Sequence, residues 1–331
     1  MKTADYDFAL PDELIAQQPL PDRAASRLMV IERQAGRVRH EQFRNLGRHL
    51  QTGDRLVLND TKVIPARLWA SDPPVELLLV ENLGDNRWSA MVRPGRKAGP
   101  GRVLKFAESG LTATVEGGAA FGGRVLRFSG EVREHLERYG AAPLPPYIKR
   151  AVGEAVRDRE RYQTVFAKYE GAIAAPTAGL HFTPELLATL AAAGIGHTFI
   201  TLHVGIGTFR PVKTENLEEH PMHTEVYEVT EAAAQELAAA RRIVAVGTTV
   251  ARTLETVGEP RAAQGRTNLF IHPPFAFRMV GALLTNFHLP RSTLLMLVSA
   301  FAGRELIREA YAEAVRERYR FYSYGDCMLI V

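Results

Sequence analysis

The chain has 331 residues, 46% hydrophobic and 24% charged, with a formal net charge of +4. That is enough apolar material for one large domain or two smaller ones. A single cysteine, Cys327, excludes an internal disulfide and a Cys-rich zinc site, which points to a reducing, cytoplasmic compartment. The start, Met1-Lys2-Thr3-Ala4-Asp5, does not read as a signal peptide, and the apolar run Leu294 to Ala302 is too short to span a bilayer.

In chain order, Pro11-Asp12-Glu13 fits the first turn of a short helix, which Pro19 and Pro21 end. Leu28–Ile31 reads as a strand, and Phe43, Leu46 and Leu50 have helical spacing. Gly53-Asp54 is a turn into the buried strand Leu56–Leu58, which runs into the polar loop Asn59-Asp60-Thr61-Lys62. Between Leu68 and Gly130 short apolar runs alternate with Gly, Pro and Asp-Asn turns, the texture of a small β-barrel or sandwich. Val132 and Leu136 resume a helical pattern, and Leu144-Pro145-Pro146-Tyr147 reads as a rigid linker. Afterwards strands and helices alternate: a Thr183-capped helix to Gly194, strands at Phe199–His203 and Val226–Val229, and a Thr230-capped helix over 231–241. The strand Ile243–Val246, a helix starting near Gly247, the strand Val280–Leu284 and a helix opened by Ser292 follow. The expected architecture is an α/β main domain, residues 1–67 and 151–331, carrying an inserted all-β, barrel-like domain at 68–150.

Four loops after expected strands hold most of the unusual residues: Asn59-Asp60-Thr61, His203 to Arg210, Gly247-Thr248-Thr249, and Thr285 to Pro290. Ligands of open α/β folds bind at the carboxyl ends of strands, so loops sharing one end would surround one pocket. The glycines at 205 and 207 allow close backbone approach to a ligand, or a tight turn; the third glycine of a dinucleotide fingerprint is missing. His220-Pro221-Met222-His223-x-Glu225 gathers ligand-type residues, but Pro221 breaks any helix that would align the histidines, so no metal is expected. His288 is either a half-buried histidine at a strand end or an acid/base group. Asp60 is a candidate carboxylate or an Asx-turn residue, and Asp326 is a second candidate carboxylate. The mixed run Arg157–Arg161 reads as a solvated helix face. Of the basic residues seven are Lys and thirty-four Arg, a bias that suits phosphate and base contacts.

Eight ordered stretches carry a resemblance across nearly the whole chain. They are Leu14-Ile15-Ala16-Gln17-Gln18-Pro19, Leu58 through Arg67 (Leu-Asn-Asp-Thr-Lys-Val-Ile-Pro-Ala-Arg), Leu144 through Arg150, and Ala174 through Phe182 (Ala-Ala-Pro-Thr-Ala-Gly-Leu-His-Phe). The others are Leu202 through Val212, Val246-Gly247-Thr248-Thr249, Leu284 through Pro290 (Leu-Thr-Asn-Phe-His-Leu-Pro), and Phe321 through Asp326. Together they resemble the S-adenosylmethionine:tRNA ribosyltransferase-isomerase family of queuosine biosynthesis. Departures lie at Ser71–Pro74, Pro221, Asn268 and His272–Phe275.

The resemblance implies transfer and isomerisation of the ribosyl part of S-adenosylmethionine onto 7-aminomethyl-7-deazaguanine at the tRNA wobble position. Epoxyqueuosine-tRNA, adenine and methionine would be the products. It implies an α/β domain with a small β-barrel, S-adenosylmethionine as co-substrate with no tightly bound cofactor, the tRNA anticodon loop as partner, no membrane, and a monomer. Acid/base work is expected of His203 and His288, with Asp60 orienting the amine. Gly205, Gly207 and Thr208 would hold the donor, and Arg67, Arg210 and Arg252 would meet phosphate or the donor carboxylate. Asn59, Thr61, Thr177, His181, Gly247, Thr248 and Asn286 complete the expected substrate contacts. Two other readings compete. An S-adenosylmethionine-dependent RNA methyltransferase would show a Gly-rich loop after the first strand, which is not visible. A non-catalytic RNA-binding module would need stacking aromatics on a basic surface, not four polar strand-end loops.

Overall fold

The computed structural model describes residues 2–150, 156–205, 207, 212 and 214–331. The chain divides into two compact units, one of Met1–Lys62, Pro145–Lys149 and Gln163–Val331, the other of Val63–Leu144 and Arg150–Tyr162.

The first unit is built on a nine-stranded sheet in the order Ala263–Thr267, Glu225–Val229, Gly196–Leu202, Asp54–Asn59, Arg242–Val246, Ala282–Asn286, Cys327–Ile330, Arg27–Glu32, Arg37–Gln42. Alternation along the central strands divides their side chains between two cores. Met29, Ile31, Val57, Ala245, Leu283 and Met328 face one core, with Leu254, Leu297 and Tyr311 from the helices Thr248–Val257, Thr293–Ala302 and Arg304–Arg316. Leu28, Val30, Leu56, Leu58, Val244 and Leu329 face the other, against Phe43, Phe182, Leu187 and Leu190. Strands buried on both faces must be near-continuously apolar, and Leu56–Leu58 and Ile243–Val246 are.

Four adjacent strands run parallel: Gly196–Leu202, Asp54–Asn59, Arg242–Val246 and Ala282–Asn286. Their registers are level, with Asn59 opposite Ile200, and Val246 opposite Leu284. At the amino ends Asp54, 2% exposed, accepts hydrogen bonds from Arg242 and from the Gln51 amide, which fixes where two of the strands begin. At the carboxyl ends the backbone must turn, and there the polar words collect.

Helix starts follow their capping residues. Thr183, Thr230 and Ser292 accept from Leu186, Ala233 and Leu295 amides at 3.2 Å each. The helix after Thr230 ends at Ala238, three residues short of expectation, and the strand expected at Val280–Leu284 lies two residues later. Thr285 and Asn286 therefore belong to the strand, and the loop begins at Phe287.

The second unit is a six-stranded antiparallel sheet in the order Arg67–Ser71, Pro74–Gly84, Arg87–Arg93, Arg124–Phe128, Thr112–Gly118, Val103–Lys105. A bridge between Asp72 and Lys105 joins its first and last strands, so the sheet nearly closes on itself. Leu68, Val75, Leu77, Leu79, Leu104, Ala113, Val115 and Leu126 fill it. Asp85 and Asn86, at φ +50° and +56°, make the tight hairpin that the twist of paired strands favours. The Arg157–Arg161 run is not simply a solvated face: in the helix Val156–Arg161, Asp158 is 3% exposed and takes a two-pronged ion pair from Arg150.

Candidate active site at the carboxyl edge of the sheet

Because the four parallel strands are neighbours, the loops after them emerge on one edge of the sheet. The Asn59-Asp60-Thr61 turn forms because Asn59 closes it. Its carbonyl oxygen accepts from the Thr61 and Leu202 amides at 3.2 and 3.0 Å, and its amide nitrogen donates to the Leu202 carbonyl at 2.9 Å. Asn59 thus ties two strand ends together. Asp60 is 6% exposed and accepts from the Thr201 hydroxyl at 2.7 Å. Burial pushes its carboxyl above the usual range, against the Thr201 hydrogen bond and the charge of Lys168.

Thr61 is fully buried, and its hydroxyl lies 2.8 Å from His203 Nδ1 and 3.4 Å from the Tyr169 carbonyl. The hydroxyl donates to that carbonyl and so accepts from Nδ1–H. This tautomer leaves Nε2 as a free lone pair. Burial lowers the His203 pKa below 6.5, so the ring is neutral at pH 7. The ring also lies against Gly171, φ +150°, where a Cβ would meet it at 2.8 Å. Only a glycine allows that approach.

Further along the edge, the Gly205 amide donates to Glu225 Oε1 at 2.7 Å, and the other Glu225 oxygen pairs with Arg252. Both side chains are buried, and burial lowers the guanidinium to about 10, still protonated at neutral pH. At Gly207 a Cβ would meet the His223 ring at 2.5 Å, so the second glycine of the pair is also required by a close approach. Thr208 and Arg210 lie outside the described residues. Gly247, φ +95°, donates to the Leu284 carbonyl at 2.7 Å and opens the helix Thr248–Val257. Thr177 is half-buried at the start of the turn Thr177–His181, and Ala178 of that turn stands beside Gly247.

The Thr285–His288 stretch is sealed. Asn286 donates to the Tyr322 carbonyl at 3.0 Å. His181 bonds through Nδ1 to the Ser26 hydroxyl at 2.9 Å, and burial lowers it to about 4. His288 lies 3.1 Å from the Thr285 hydroxyl, while its amide donates to Tyr311 at 2.9 Å. Burial drops His288 to about 3, so its ring is neutral near pH 7. Asp326 has both oxygens taken by the Arg27 and Arg320 amides. Arg67 belongs to the β unit, where it bonds the Leu144 carbonyl at 2.9 Å and pairs with Glu76 at 3.3 Å.

The edge therefore gathers Asn59, Asp60, Thr61, His203, Gly205, Gly247, Thr248 and Arg252 from three of the four strand ends. Sequence reasoning passed over Gly171 and the role of Glu225. A glutamate at an inward position of the alternating strand Glu225–Val229 is the signal that could have exposed the last. Among the described residues no group of three or more His, Cys, Asp or Glu side chains is placed to hold a metal ion, and no helix is long and apolar enough to cross a membrane.

An α/β fold whose four parallel strands end in a polar edge, carrying a neutral imidazole on a buried threonine and a buried carboxyl, fits an enzyme's active site. The chain belongs to the queuosine biosynthesis protein family, whose model matches residues 3–330. It is 53% identical to the S-adenosylmethionine:tRNA ribosyltransferase-isomerase of Moorella thermoacetica and 50% identical to that of Caldanaerobacter subterraneus subsp. tengcongensis, each over the full length of both chains. Among solved structures it is similar to the S-adenosylmethionine tRNA ribosyltransferase of Thermotoga maritima, with 41% identity and a TM-score of 0.57 over 99% of this chain and 100% of that one.

Proposed function

We propose that this enzyme transfers and isomerises the ribosyl moiety of S-adenosylmethionine onto the aminomethyl group of 7-aminomethyl-7-deazaguanine at the tRNA wobble position, yielding epoxyqueuosine-tRNA, adenine and methionine. One observation carries the mechanistic reading: a neutral His203 whose Nε2 lone pair is set by Thr61. A sulfonium acidifies the hydrogens on the adjacent C5′, so a modest base such as a neutral imidazole suffices to remove one. Asp60, next in the chain to Thr61 and held by Thr201, orients the attacking amine, which must be neutral to act as a nucleophile. A carboxyl raised by burial suits this duty, because it accepts a hydrogen bond without imposing a full charge on the amine.

The close-packed glycines at 205, 207 and 247, with Thr177, Thr248 and Arg252, would hold the donor. Thr208 and Arg210 would complete that wall. His181, Asn286 and His288 support it from below as neutral hydrogen-bonding groups, and Asn59 keeps the strand ends in register. Arg67, in the β unit, is the candidate phosphate contact. With this reading go the 68–150 segment as an inserted module, the anticodon loop as partner, a cytoplasmic monomer, and S-adenosylmethionine as co-substrate with no tightly bound cofactor.

The test uses donor labelled separately in the ribose and in the methyl group. Ribose label entering the tRNA with release of adenine is the expected result. Methyl label entering the tRNA would instead identify a methyltransferase.

A further inference from the structure

Beside the helix Thr248–Val257 lies a small, half-open cleft, lined by Thr248, Thr249 and Arg252 on one side and by Met222, Phe270 and Leu297 among its apolar residues. Three observations give it a chemical sense. The first-turn amides of a helix have no partner within it and carry the positive end of its dipole. Thr249 and Arg252, each 9% exposed, line the cleft, and among the described residues Thr249 Oγ1 and Arg252 Nε have no hydrogen-bond partner. A buried polar atom without a partner is costly, which points to a ligand that supplies one. Finally, the groups on offer are nearly all donors: backbone amides, a guanidinium N–H and a hydroxyl. They call for an anionic acceptor with an apolar body.

We propose that this cleft binds the amino-acid half of the sulfonium donor, its α-carboxylate meeting the helix start, Thr249 and Arg252, and its carbon chain lying along Met222, Phe270 and Leu297. The inference rests on the ribosyl-transfer reading and specifies which part of the donor goes where. A nucleic-acid phosphate fits less well, because polynucleotide backbones are met by exposed basic side chains in open grooves, and Arg252 is buried. Adenine fits less well because it presents donors as well as acceptors. Glu225 gives the cleft a second role as a positioning residue. It grips Arg252 with one oxygen and the Gly205 amide with the other. Seating the carboxylate therefore fixes the backbone at Gly205, two residues past His203, and so sets C5′ against the base.

The test compares kcat/KM for S-adenosylmethionine and for its decarboxylated analogue, which lacks only the carboxylate, in the wild type, Thr249→Val and Arg252→Gln. Because Arg252→Gln leaves Glu225 unpaired, the double variant Glu225→Gln/Arg252→Gln, in which the pair is neutral, is measured alongside. The wild type should prefer the carboxylated donor, and each variant should narrow the preference by roughly tenfold or more. An unchanged ratio with both donors slowed together would overturn the assignment. So would an unchanged ratio with a raised KM for tRNA and an altered salt dependence, the signature of a phosphate site. If the wild type releases adenine from neither donor, the ribosyl-transfer reading has failed. The cleft is then read by calorimetry with L-methionine alone: binding that Thr249→Val abolishes upholds it, and absence of binding overturns it.

Discussion

Two histidine corners of the α/β unit, both on strand-end words of the sequence, have become chemically different groups. His203 is half-buried, with one nitrogen committed to Thr61 and the other free. His288 is 7% exposed, hydrogen-bonded to Thr285 within its own strand end, and depressed to about 3, as the buried His181 is to about 4. A place in a motif brings a histidine to the sheet edge, whereas burial decides whether it can exchange a proton. On the proposed mechanism, the first corner reacts and the second holds shape.

That contrast breaks most sharply under substitution at His203. His203→Ala should slow single-turnover adenine release by roughly 10²- to 10⁴-fold with little loss of stability. His288→Ala should do the reverse, lowering the denaturant midpoint while retaining most of the chemical step. Equal kinetic losses in the two variants would erase the distinction. Gly171→Ala tests the same corner from behind, since its Cβ would displace the His203 ring. Adenine release should fall at least tenfold, with a stability cost of about 1–3 kcal/mol from the added strain.

A third variant reaches the ion pair. Glu225→Gln leaves a buried guanidinium without its counter-charge and should cost about 3–5 kcal/mol in equilibrium unfolding. A change within experimental error would mean that Arg252 finds another partner.

The pH dependence gives the smallest and most graded signal. His181 and His288 have folded pKa values below the unfolded 6.5, so the unfolded chain binds more protons as pH falls. They cost nothing above 6.5 and destabilise increasingly below it. The His181 difference amounts to about 3 kcal/mol once pH reaches 4. The raised Asp60 and Asp326 carboxyls act in the opposite sense, since acid relieves their burial. Unfolding measured from pH 7 to 4 should show the loss, and His181→Asn should flatten it. A slope that His181→Asn leaves unchanged would assign it to other groups. The acid limb of kcat/KM, by contrast, should lie below pH 6.5 and vanish only with His203.

Much of the fold was legible where local pattern and tertiary need agree. The β unit announced itself through alternating short runs and the Asp85-Asn86 turn, and helix starts through Thr183, Thr230 and Ser292. The strand Cys327–Ile330 was not read: four apolar residues at the chain end carry no period, and their central place, between Ala282–Asn286 and Arg27–Glu32, is set only by long-range pairing. Ala263–Thr267 was missed because Ala-Gln-Gly-Arg-Thr has little strand character; it is an edge strand held by its partner. Within the site, the words containing Asp60, Thr61 and His203 could be found by eye, and so could the expectation that they share an edge. Gly171 could not, because its reason is a ring distant in sequence. Nor could the division of labour between His203 and His288, which depends on how much water each ring sees.

The most direct test of the central claim is mass spectrometry of the wobble nucleoside after incubating the enzyme with S-adenosylmethionine and tRNA carrying the aminomethyl-deazaguanine base, in the wild type and in His203→Ala. The account predicts a mass gain equal to the ribose-derived epoxycyclopentane unit in the wild type, accompanied by free adenine and methionine and nearly abolished in the variant. A gain of one methyl group, or a wild-type yield from His203→Ala, would contradict it.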